Sequence, residues 1–284
     1  MRYVLLFLMA ANLLTASYHP ALKERLVQFD DELLTKIQEM KANPVNTKVW
    51  LIAIGVAKYD VTDNIIYSTQ SAEAFAQLAV KRFGITPRRS YKIIGNDASS
   101  GRVKDTINLL VNNVQEGDTI IFYYSGHGIP SFPAKEPYIL PKDKDPNYVT
   151  ADSDLKLANI YKKLQSSKAD KVLAFVDACF SGATDNKTLF KGVAATRIKA
   201  KQLRVNSKKI AVLTAGQDKQ FSNKFDKKHH RLFSYFLMDS LIKGETNVKS
   251  LYKKVRKNVD ETSYEFGDSF RQTPTMTGND NLSF

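Results

Sequence analysis

Uninterrupted apolar runs punctuate this chain and alternate with stretches whose apolar residues recur every three or four positions. Residues 49–57, 119–124, 172–178 and 210–215 are rich in Val, Ile, Leu and aromatics and are bounded by small or charged residues. That pattern predicts strands buried on both faces. Residues 91–94 read as a shorter strand and 272–277 as a last one. Residues 71–83, 100–114 and 152–165 carry helical periodicity, and 229–242 and 248–259 add two more helices. Residues 21–41, rich in Leu, Glu, Lys and Gln and stopped by Pro44, predict a helix leading into the domain. Strand–helix alternation of this kind predicts an α/β fold with a mostly parallel sheet and helices on both faces. Nothing in the linkers suggests a second folded domain.

Two of the predicted strands run into turns that carry chemistry. The run ending at Tyr124 continues Ser125-Gly126-His127-Gly128, and the run beginning at Val172 continues Asp177-Ala178-Cys179-Phe180-Ser181-Gly182. If the strands are parallel neighbours, His127 and Cys179 emerge together at the carboxyl ends, where open α/β sheets place their sites. A thiol beside an imidazole is an activated nucleophile, because a base creates the thiolate that attacks. The bland alternative is a small cysteine buried in a core strand. Asp177 lies two residues before Cys179, so strand alternation puts both side chains on one side.

These turns resemble the catalytic turns of the caspase and metacaspase superfamily of cysteine peptidases, most nearly the metacaspase-like proteins of bacteria. The interval of 52 residues from His127 to Cys179 agrees with it. The resemblance extends from about residue 48 to the C-terminus and implies a six-stranded caspase-like sheet. It implies His127 and Cys179 as catalytic residues and the amides of Gly128 and Cys179 as the oxyanion hole. It also implies Asp177 and Ser125 as substrate-binding residues, favouring Arg or Lys before the scissile bond. Where metacaspases carry a second pocket acid this chain has Ser71, which weakens that pattern; the alternative for Asp177 is a strand-end acid satisfied by backbone amides. Peptide hydrolysis by this dyad requires no cofactor. Many metacaspases bind calcium, however, and Asp143, Asp152, Asp154 and Asp185 fall near the corresponding segments; solvated loop acids are the alternative.

The single cysteine excludes an intrachain disulfide and Cys-rich zinc sites, and four scattered histidines show no metal-ligand spacing. The net charge of +13 raises nucleic-acid binding. Its lysines and arginines are spread among acids without an aromatic ladder, so no nucleic-acid partner is expected, and the expected partners are protein or peptide substrates. One stretch stands apart: residues 186–217 contain no acid. Lys191, Arg197, Lys199 and Arg204 lie where caspase-like enzymes carry a linker cut on activation, and they are the expected self-cleavage positions. Residues 1–17 show the basic start, apolar stretch and small residues of a secretory signal peptide, too short to span a membrane. Export to the periplasm or medium is the expectation on that reading, and a cytoplasmic location otherwise. The expected division is an N-terminal helical segment over residues 18–47 and a caspase-like peptidase domain over 48–284. A catalytically silent protein-binding module is the competing reading. The sequence leaves the oligomeric state open.

Overall fold

Six strands form one sheet: β1 (Val49–Gly55), β2 (Ser90–Ile94), β3 (Thr119–Ser125), β6 (Lys171–Asp177), β7 (Ile210–Thr214) and β10 (Thr275–Gly278). Their order across the sheet is β10-β7-β6-β3-β1-β2. The first five pair in parallel, and β10 closes one edge antiparallel to β7. This is the six-stranded, mostly parallel sheet that the sequence predicts. The computed structural model describes residues 31–184, 187–190, 200–217 and 220–284. Glu32–Phe284 form one compact unit. Residues 1–17 and most of 18–31 lie outside the described residues, and so does the start of the predicted N-terminal helix. No helix among the described residues is long and apolar enough to cross a membrane.

The pleat sorts the core. Ile120, Phe122 and Tyr124 of β3 and Val172, Ala174 and Val176 of β6 face one apolar cluster. The helices Ser100–Asn113 and Leu157–Gln165 cover it. Ile121 and Tyr123 of β3 and Leu173 and Phe175 of β6 face a second cluster. That face is covered by Glu32–Glu39, Ser68–Phe83, Leu232–Ile242 and Val248–Tyr264. Both faces of the central strands are dry, which is why they read as continuous apolar runs rather than alternating ones.

Element boundaries depart from expectation where polar side chains intervene. The helix predicted from residue 152 begins at Leu157, because the Asp152 side chain accepts from Asp154 N–H at 3.3 Å and turns the chain into a 3₁₀ segment first. The helix predicted from residue 229 begins at Leu232, because His230–Arg231 (β9) pairs with Lys224–Phe225 (β8). A further hairpin, β4 (Gly128–Pro130) with β5 (Pro137–Ile139), continues from the His127 turn.

Candidate active site

Register brings the two turns together. In the β3–β6 ladder Ser125 is opposite Asp177, so the residues that follow each strand leave the sheet side by side. Gly126 N–H donates to the Asp177 carbonyl at 3.3 Å, tying the first turn to the second. Residue 128 has no room for a side chain: a Cβ there would lie 2.6 Å from the Cys179 carbonyl oxygen and closer still to the Phe180 ring. Gly128 is therefore the residue that lets the histidine turn and the cysteine turn touch.

His127 is almost fully buried, at 3% exposure. Its Nε2 lies 2.9 Å from the Asp63 carbonyl oxygen, which orients the ring and fixes Nε2 as the protonated nitrogen. Nδ1 is then the nitrogen left to exchange a proton. The imidazole pKa falls from the ordinary 6.5 to about 4: burial is the main cause, the Asp63 carbonyl opposes it, and the Arg231 charge adds to the lowering. At neutral pH the ring is an uncharged base.

Cys179 is half-buried and lines a cavity of about 320 Å³. Aromatic rings of Phe221, Phe225, Phe266 and Phe270 wall that cavity, and Arg231 lies among its polar lining. The Ser222 N–H donates to Sγ of Cys179, and the thiol lies 3.9 Å from the Ser222 carbonyl oxygen. Arg231, only 4% exposed, donates from Nη2 to that same carbonyl and to the Ser222 hydroxyl, the latter at 3.1 Å. Its Nε is buried without a hydrogen-bond partner.

Asp177 is fully buried and does not line this cavity. Being an odd-numbered residue of β6 it faces the side of Leu173 and Phe175, where the helix Leu232–Ile242 begins. Ser234 donates to Oδ2 from its backbone N–H at 3.0 Å and from its hydroxyl at 2.5 Å, and the Ser222 hydroxyl donates to Oδ1. Asp177 thus caps the first turn of that helix, a favourable place for a carboxylate. It reaches Arg231 only through the Ser222 hydroxyl. Ser125 is fully buried beside it in register. Ser71 accepts from Arg231 N–H at 3.0 Å, so this position does adjoin the pocket loop.

The acids considered for calcium are otherwise engaged. Asp143 accepts from Ser100 N–H at 2.7 Å and from its hydroxyl at 2.9 Å, capping the helix Ser100–Asn113. Asp152 pairs with Lys104 at 2.7 Å, and Asp154 with Lys163 at 3.4 Å. Asp185 lies outside the described residues, and no group of three metal-ligating side chains occurs among those described. Of the self-cleavage positions, Arg204 is exposed, while Lys191, Arg197 and Lys199 lie outside the described residues. Asp63, Ser222 and Arg231 were not singled out by sequence reasoning. Asp63 acts through a main-chain carbonyl, which carries no sequence signal, and Ser222 and Arg231 reach the site only through folding.

Comparison with known proteins gives a family and a fold. Residues 48–283 match the family model described as the caspase domain. Among solved structures, the protein GSU0716 from Geobacter sulfurreducens aligns with a TM-score of 0.56 at 20% identity, covering 82% of this chain and 94% of that one. Caspase-1 from Spodoptera frugiperda aligns with a TM-score of 0.50 at 14% identity, covering 84% and 94% respectively. At these identities the structures speak to the fold alone. A search of curated proteins finds no match.

Proposed function

The chain belongs to the caspase-domain family, a family of cysteine peptidases, and from that premise we propose that it is a cysteine endopeptidase working through Cys179 and His127. The observation that carries the reading is the contact of the two turns at Gly128, with the thiol opening on a cavity beside them. In the reaction, neutral His127 takes the thiol proton at Nδ1 as sulfur attacks the scissile carbonyl. The N–H groups of Gly128 and Cys179 receive the developing oxyanion. The imidazolium then protonates the leaving amine, giving an acyl-enzyme. Water, deprotonated by the same ring, attacks the thioester, and the thiolate departs to recover the proton.

Two opposite charges bear on the substrate side chain before the scissile bond. Asp177 supports cleavage after Arg or Lys, following the family pattern. Arg231 favours a second reading: a cation lines the cavity with an unpaired Nε, while Asp177 is covered by Ser222 and Ser234. A guanidinium there repels a basic side chain and attracts one bearing an acceptor oxygen. A peptide-library profile decides between them. The experiment for the whole reading is that library presented to wild type and to Cys179→Ala. Wild type should cleave and be labelled by thiol-directed peptide electrophiles, and the variant should do neither. A folded Cys179→Ala protein with wild-type turnover would sink the assignment.

A further inference from the structure

Two phenols converge beneath the turn that carries His127, and thiol chemistry alone gives no reason for them. Tyr59 follows β1 and Tyr124 lies on β3, its neighbour in the sheet. The Tyr59 Oη accepts the His127 backbone N–H at 2.7 Å. The Tyr124 Oη donates to the His127 carbonyl oxygen at 2.6 Å. Each phenol is anchored in turn: Tyr59 donates to the Val56 carbonyl at 3.3 Å, and Tyr124 accepts from Leu140 N–H at 3.2 Å. The Tyr59 ring also lies against the imidazole, with centroids 4.7 Å apart and planes tilted by 33°.

Gly126 fits the same arrangement. A Cβ at that position would stand 2.7 Å from the Tyr124 hydroxyl and 2.9 Å from the Tyr59 hydroxyl. The residue before the histidine is thus kept bare by the two oxygens that meet under it. Both rings are buried, and burial pushes their ionisation upward, so they remain neutral hydrogen-bonding groups wherever the enzyme works.

We infer that Tyr59 and Tyr124 are positioning residues that clamp the main chain of His127 from both sides, so that its imidazole is presented to the thiol and the leaving amine in one orientation. The inference rests on the peptidase reading and deepens it. A general base must hold its geometry within a fraction of an ångström, and a misplacement of about 1 Å costs about a hundredfold in rate. Asp63 fixes one ring nitrogen, and Asp63 and Arg231 supply the charges that act on the ring. The phenols fix the backbone from which the ring projects.

The test is Tyr59→Phe in the full chain, which keeps the ring and removes one oxygen. We expect kcat to fall about 10- to 100-fold with KM within about twofold, since the clamp acts on the reacting geometry and not on substrate binding. The histidine ring-proton resonance assigned by its loss in His127→Gln supplies a readout independent of turnover. Its titration midpoint should rise toward the ordinary value in Tyr59→Phe, as the loosened ring gains solvent. Tyr124→Phe should move both readouts in the same direction and carries the test if Tyr59→Phe does not fold. Tyr161→Phe is the control, because that buried hydroxyl has no partner, and it should leave both as in wild type. Folded phenylalanine variants with wild-type kcat and an unmoved titration would overturn the clamp. A titration that moves in a protein unable to cleave any peptide supports the clamp and overturns the peptidase reading.

Discussion

The burial of His127 makes the stability of this protein depend on pH in a window that can be worked out. The folded imidazole has its pKa lowered from 6.5 to about 4. An unfolded chain therefore takes up a proton at this residue near pH 6.5, while the folded chain resists doing so until about pH 4. Between those values the unfolded state binds more protons, so the unfolding free energy rises with pH. The contribution is fully present above pH 6.5, is lost progressively as pH falls, and levels off below about 4. A shift of this size corresponds to about 3 kcal/mol. Other groups also titrate in acid, so the informative quantity is a difference between two proteins. His127→Gln removes the titration and keeps an N–H donor for the Asp63 carbonyl. Trp50, the only tryptophan and largely buried, reports unfolding by fluorescence. Urea denaturation at pH 7.5, 6.5, 5.5, 4.5 and 4 should show wild type losing about 3 kcal/mol more than His127→Gln across the window. Parallel curves would refute the argument, because they would mean that the imidazole is as free to protonate in the folded protein as in the unfolded chain. The kinetic corollary is an acid limb of kcat/KM near pH 4 instead of pH 6.5, since the base must be neutral to accept the thiol proton.

Two further predictions follow from the strand-end acid and the acid-free stretch. Asp177→Asn places an amide group among the donors of Ser222 and Ser234, so it should cost about 1–3 kcal/mol in urea denaturation as well as lowering kcat/KM. A variant as stable as wild type would contradict the capping role. Purified wild type should accumulate two fragments divided within residues 186–209 while Cys179→Ala stays whole; mass spectrometry locates the cut, and a wild type that stays whole while cleaving other substrates would count against self-processing.

How much was legible in the sequence follows from which interactions leave a trace in residue type. The central strands were readable because both of their faces are buried, so neither face needed polar residues to interrupt the run. The two turns of the candidate site were readable because a thiol, an imidazole and closely spaced glycines are rare in combination. The role of Asp177 was readable only in part. Its place two residues before Cys179 aims both to one side, yet the helix whose first turn it caps begins 55 residues later, at Leu232, and only packing brings them together. Arg231 read as the start of a helix, and its reach to Ser222 depends on a two-residue strand pair too short to show alternation. The acids at 143, 152 and 154 read as candidate calcium ligands with solvated acids as the alternative, and sequence could not tell a helix cap or a lysine partner from a metal ligand, since all three need the same group. Asp63 is the extreme case, because it orients the His127 imidazole with a carbonyl that every residue possesses. The part of the site made of main chain is invisible to residue identity. It is felt instead at positions such as Gly126 and Gly128, where a missing side chain records what must come close.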